Sequence, residues 1–270
     1  MRFRPLKRGS MLALAASLAL APAAQAQPSS SPTPPVAAGV VAFPCAVALP
    51  LSQDWGQVCT FAAANAALGP ASDHRVVFFG DSITELWIQR DPTLFTDDIL
   101  DRGISGQTTS QMLVRFREDV IALHPAIVQI MAGTNDIAGN TGPTTLAQIQ
   151  GNVATMAEQA RTHGITVILA SIPPADAYFW QPSIDPRPSI LALNAWMEEY
   201  ARRNGLVYAD YWSALSDDRG AFKPRLSLDG AHPSIAGYAA MRPAADAALA
   251  RAMALRRGRQ SSKPASLPSA

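Results

Sequence analysis

A serine that acts as a nucleophile needs a base to take its proton, a group that orients the base, and donors for the negative charge that develops opposite it. Residues of these types stand at four places in the chain: Gly80-Asp81-Ser82, Gly103-Ile104-Ser105-Gly106, Gly133-Thr134-Asn135-Asp136 and Asp229-Gly230-Ala231-His232. Ser82 is the candidate nucleophile. Asp229 and His232 are three apart in a tight segment, so the carboxylate can accept from one ring nitrogen while the other faces the serine. The chain order Ser, Asp, His is permissible because such groups are matched by space and role. His74 and His124 flank strand starts and His163 sits near a helix end, where surface or capping roles fit. Gly106 offers a backbone N–H from a tight turn, and Asn135 a side-chain amide. Each feature has an ordinary alternative. Asp81 or Ser82 suits a helix N-cap, the two glycines suit a plain loop, and Gly, Asn and Asp all favour turns; Asp136 is read as holding its own loop.

These residues need elements to bring them together. Val76-Val77-Phe78-Phe79 is an apolar run that stops at Gly80, the mark of a buried strand ending where a helix begins. The pattern predicts further strands at Ile99 to Asp101, Ile127 to Met131, Thr166 to Ala170 and Leu206 to Ala209, the first being Arg75 to Phe79. Helical patterns fall between them, at Gln107 to Leu123, Thr144 to Thr162 and Ser189 to Asn204, with a last one from Pro233 to about Arg251. Strand and helix in alternation make an α/β chain with a parallel sheet covered on both faces. Ligands then bind at the carboxyl ends of the strands, where Ser82, Gly106 and Asn135 stand.

The four blocks, in this order and at these strand ends, resemble those of the GDSL-type SGNH hydrolases, over about Val76 to Leu249. The resemblance implies a three-layer α/β/α fold with a flavodoxin-like parallel sheet of about five strands and a shallow, open site. It implies Ser82 as nucleophile, His232 as base and then acid, Asp229 as the group that orients it, and an oxyanion hole from the Ser82 and Gly106 N–H groups and the Asn135 side chain. One position departs from the pattern: the second block often begins with Asn, and this chain has Asp101, which keeps an acceptor and loses the amide donor.

The rest of the chain bounds the setting. With 270 residues and 48% hydrophobic content there is material for one sizeable core. A net charge of +1 gives no general attraction to nucleic acid or anionic membrane. Arg2, Arg4, Lys7 and Arg8, the apolar stretch Met11 to Leu20 and Ala24-Gln25-Ala26 fit a secretory signal peptide cleaved after Ala26. Residues 27–39 read as a Pro/Ser-rich spacer and residues 40–74 as a helical extension, with an amphipathic helix over Ser52 to Leu68. Cys45 and Cys59, the only cysteines, are expected to pair in an oxidising compartment. Residues 252–270 read as a basic, unstructured tail. Neither a metal nor an organic cofactor is expected.

The stretch Ser171 to Pro188 follows a strand and should overhang the catalytic edge. Its Tyr178-Phe179-Trp180 could stack on a sugar or line an acyl groove, or else pin the loop to the body. No apolar lid is evident, so small acyl esters are favoured, O-acetyl groups on polysaccharide among them. The alternatives are a lysophospholipid or thioester substrate, or an inactive carbohydrate-binding domain. After signal cleavage no stable membrane insertion is expected.

Overall fold

A computed structural model describes residue 45 and residues 49–261. The expected signal peptide and the 27–39 spacer lie outside the described residues, as do positions 262–270 of the tail. The elements run α1 (Ala62–Ala66), β1 (Val76–Gly80), α2 (Ser82–Glu85), α3 (Trp87–Arg90), β2 (Ile99–Gly103), α4 (Thr109–Asp119), β3 (Ile127–Met131), α5 (Thr134–Ile137), α6 (Leu146–Thr162), β4 (Thr166–Ala170), α7 (Arg187–Asn204), β5 (Val207–Ala209), α8 (Trp212–Leu215) and α9 (Ile235–Ser261). The five strands form one parallel sheet in the order β2-β1-β3-β4-β5.

Side chains that alternate along each strand feed two cores. Val77, Phe79, Val128, Ile130, Val167 and Leu169 pack with Met112 and Phe116 of α4 and Val153 and Met156 of α6. On the other face Phe78, Ile127 and Ile168 join Trp87, Tyr238, Met241 and Ala245, the last three on α9. Strands covered on both sides carry no polar alternation, and β1, β3 and β4 are buried throughout. The α/β reading therefore holds, with strand ends within two residues of those expected.

Two expectations are corrected. The helix over Ser52 to Leu68 shrinks to Ala62–Ala66, with turns before it. There the Asp54 carboxylate accepts from the N–H groups of Val58 and Cys59, each at 2.9 Å, and Gln57 adopts a left-handed φ of 55°. A local side-chain acceptor has displaced the helical ladder. At the other end α9 continues ten residues beyond Arg251, because Ala252 is buried and Leu249 and Met253 pack on the same core. That apolar stripe outweighs the nearby arginines, of which Arg256 faces Asp73 at 3.6 Å.

Cys45 and Cys59 are joined by a disulfide. No helix among the described residues is long and apolar enough to cross a membrane.

Candidate active site

The first strand must turn sharply to place Ser82, and glycines make the turn possible. A Cβ on Gly80 would lie 2.0 Å from Thr84 Oγ1, and one on Gly103, its partner across the sheet, 2.1 Å from the Glu85 nitrogen. Helix α2 can therefore begin almost on top of the strand ends. The N-cap of α2 is Asp81, whose carboxylate accepts from the Ile83 N–H at 3.0 Å. Asp81 takes the capping role, which leaves the Ser82 hydroxyl for other work. It lies 3.0 Å from His232 Nε2.

His232 is presented by a tight turn just before α9. Asp229 Oδ1 accepts from the N–H groups of Ala231 and His232 at 2.9 and 2.8 Å, and Asp229 Oδ2 lies 2.8 Å from His232 Nδ1. Gly230 supplies the left-handed φ of 79° that this turn requires. The Tyr238 hydroxyl donates to the Ile83 carbonyl at 2.7 Å and so ties α9 to the helix that carries Ser82. Partial burial disfavours ionisation of Asp229, but the donors from His232 and Ala231 prevail and hold its carboxyl below the ordinary carboxylate range. The imidazole thus has an ionised partner on one side and a hydroxyl on the other.

Gly106 and Asn135 complete the same recess, of about 340 Å³, together with Leu86, Asn140, Phe179 and Trp180. Neither the Ser82 nor the Gly106 N–H has a partner among the described residues, and Gly106 holds a left-handed φ of 78°. Asn135 is buried and its amide is engaged: Nδ2 donates to the Gln107 carbonyl at 3.1 Å and to Asp81 Oδ2 at 3.3 Å. Burial pushes the Asp81 carboxyl up to about 6, against the Ile83 N–H and the nearby His232. Asp136, read as holding its own loop, instead fixes the start of α4: its carboxylate accepts from the N–H and hydroxyl of Thr109 at 2.8 and 2.6 Å.

The aromatic trio divides. Trp180 and Phe179 line the recess, and Phe179 is 67% exposed. Tyr178 is fully buried and stacks behind Trp180 with ring centroids 4.9 Å apart, so its expected contact with substrate is corrected to a supporting one. Two further residues shape the site. Asn140 donates to Asn135 Oδ1 at 2.8 Å and accepts from Trp180 Nε1 at 3.0 Å, but in Gly139-Asn140-Thr141-Gly142 it reads only as a turn residue. Arg115, fully buried on α4, donates to the carbonyls of Gly80 and Arg102 at 3.0 Å each. Its position on the apolar face beside Met112 and Phe116 was a readable signal, since a charge there demands partners.

A larger concavity, about 700 Å³, lies where β4 begins and is lined by Arg161, Arg256 and Arg259. It holds no nucleophile or base pair, and it sits at the opposite strand end from Ser82.

A sequence model of the GDSL-like lipase/acylhydrolase family matches residues 78–240. Esterase TesA of Pseudomonas aeruginosa is 30% identical over 142 residues, which span 51% of this chain and 62% of that one. An uncharacterized lipoprotein of Bacillus subtilis, YqeF, is 41% identical over 80 residues, 28% of this chain and 33% of that one. The matches thus span less than two thirds of these curated relatives. The crystal structure of a GDSL-like lipase from Bacteroides thetaiotaomicron superposes with a TM-score of 0.71 at 41% identity, over 73% of this chain and 99% of that one. By sequence and by fold, the chain belongs to the GDSL-like lipase/acylhydrolase family, whose named activities are those of carboxylic ester hydrolases.

Proposed function

We propose that this protein is an exported serine esterase that removes small acyl groups, acetyl foremost, from ester substrates that include O-acetylated carbohydrate. The observation that carries the reading is the unbroken line from Ser82 Oγ to His232 Nε2 at 3.0 Å and from His232 Nδ1 to Asp229 Oδ2 at 2.8 Å. Asp229 keeps the proton on Nδ1, so Nε2 is free to accept. As Ser82 Oγ bonds to the ester carbonyl carbon, its proton passes to His232 Nε2. The carbonyl oxygen becomes an oxyanion that meets the N–H groups of Ser82 and Gly106 and the Asn135 amide. Collapse breaks the bond to the alcohol, which leaves with the proton from His232. A water then attacks the acyl-enzyme, giving its proton to His232, and the acid departs as Ser82 is restored.

The recess supports a small acyl group because it is open and its large apolar side chains are few: Leu86, Phe179 and Trp180. Export is supported by the N-terminal sequence pattern and by the Cys45–Cys59 bridge, a linkage that persists in oxidising compartments. A fluorophosphonate probe is expected to label the protein covalently and to leave Ser82→Ala unlabelled. On p-nitrophenyl esters, turnover should fall as the chain lengthens beyond butyrate. Wild-type rates in Ser82→Ala would overturn the mechanism, and a preference for long chains would overturn the substrate class.

A further inference from the structure

A second cleft, of about 380 Å³, adjoins the recess at Ser82 and shares Ser105, Gly106 and Asn140 with it. We infer that this cleft is a sugar subsite, which holds the monosaccharide next to the O-acylated unit, so that the enzyme acts on acylated glycans of two or more units in preference to acylated monosaccharides. The inference rests on the esterase reading for the unit held at Ser82.

The lining selects the ligand class. Beyond the shared residues it presents Gln57, Gln111, Thr141 and Gln181, with Leu51 the one large aliphatic side chain and no charged group at all. Carboxamides both donate and accept, which matches the hydroxyls of a sugar. Without a cation the cleft has nothing to hold a phosphate headgroup, and with a single leucine it has little to hold an acyl chain. A glycan is the class that such walls reward.

Hydrogen-bonding capacity is also left over. Gln57 Oε1 accepts from Gln107 Nε2 at 3.0 Å, while Gln57 Nε2 and the Gln181 side chain have no partner among the described residues. Both residues are half-buried, so these amides point into a concave, partly desolvated space. Asn140 stands between the two clefts and holds Trp180 by its indole N–H at 3.0 Å. A sugar stacked on Trp180 would thus carry its neighbour across Asn140 into the amide-lined cleft.

Gln57 is held rigidly for this purpose. Its left-handed φ of 55° is costly for a residue with a Cβ and persists only where the surroundings over-determine it. Here Asp54 caps the turn behind it, the disulfide closes at Cys59, and the carbonyls of Trp55 and Gly56 accept from Gln111 and Gln107 at 2.9 and 3.1 Å. Gly56 sits so close to α4 that a Cβ there would lie 2.5 Å from Val114 Cγ1. The N-terminal extension is therefore a fixed wall of the binding surface.

Binding to Ser82→Ala tests the subsite without turnover. Calorimetric titration would compare acetylated disaccharides built on glucose, xylose and N-acetylglucosamine with the acetylated methyl glycosides of the same sugars. At least one disaccharide is expected to bind about tenfold more tightly than its monosaccharide, a gain of about 1.4 kcal/mol. Adding Gln57→Ala or Gln181→Ala should bring that ratio close to one. Gln181 lies on the loop after β4 and its substitution leaves the N-terminal segment intact, so the pair guards against a folding defect at Gln57. Equal affinities across the panel, or a ratio that survives both substitutions, would overturn the subsite. Failure of the esterase reading would appear elsewhere, as wild-type protein that neither reacts with fluorophosphonate nor hydrolyses p-nitrophenyl acetate.

Discussion

Asn135 shows how a single amide is kept ready. Its oxygen is taken by Asn140 and its nitrogen donates to Gln107 and, over a longer 3.3 Å, to Asp81. An oxyanion near Ser82 would compete for that weaker bond, and it is the stronger acceptor because its charge sits on one oxygen where a carboxylate shares its charge between two. Asn135→Ala is expected to lower kcat on p-nitrophenyl acetate by about 10² to 10³ while the circular dichroism spectrum stays folded, since one oxyanion donor supplies that order of rate. Asp101 allows a second test. Burial, together with the nearby Glu85, pushes its carboxyl up to about 7 even though the Gly103 N–H favours the ionised form, and Asp101 Oδ2 is buried without a partner. The folded state therefore holds this proton more tightly than the unfolded chain does. Stability should fall as pH rises from about 4 through about 7 and level off above, since only the unfolded chain gains from ionisation in that window. Asp101→Asn removes the titration. It should be more stable than the parent at pH 8 by on the order of 1 to 3 kcal/mol, with the gap closing below pH 4 in denaturant titrations.

At the scale of elements, the strand ends depend on α4. Arg115 pairs with Asp119 at 2.9 Å with both side chains fully buried, lies over the Phe79 ring at 4.2 Å, and binds the carbonyls of Gly80 and Arg102 at the carboxyl ends of neighbouring strands. Removing one partner of such a pair strands a charge in the core, so Arg115→Ala is expected to cost about 3 to 5 kcal/mol in chemical unfolding. Replacement of both Arg115 and Asp119 by apolar residues should cost less than the single change, by the same reasoning. Esterase activity should fall along with stability in the single variant, because the Gly80 carbonyl that Arg115 holds lies two residues before Ser82.

For the molecule as a whole, the disulfide acts on the unfolded chain. Closing a loop over a sequence separation of 14 residues removes unfolded-state entropy equivalent to about 3 kcal/mol. Cys45→Ser with Cys59→Ser is therefore expected to lower unfolding free energy by about 2 to 3 kcal/mol, and dithiothreitol should lower the parent Tm and leave that of the double variant unmoved. The extension it closes packs on α4 through Gly56 and Asn65, so the loss belongs to the assembled domain and not to a separate module.

The division between what could be read and what could not follows the range of the interactions. Val76 to Phe79, Ile127 to Met131 and Thr166 to Ala170 announced themselves because a doubly covered strand must be apolar at every position, and that is written locally. The four blocks that carry Ser82, Gly106, Asn135 and His232 were legible for the same reason: each is a short run at a strand end or just before a helix. The aborted helix before Ala62 was decided by Asp54 capturing two N–H groups and by the contacts of Gly56 with Val114, and the extra turns of α9 by its burial against the sheet. Whether Tyr178 faced substrate or core, and that Gln57 and Gln181 would line one cleft with Gly106, depended on segments far apart in the chain packing together. The chain by itself determined which groups could do chemistry; only the folded structure decided which of them meet, because distances between remote segments are set by packing that no local pattern encodes.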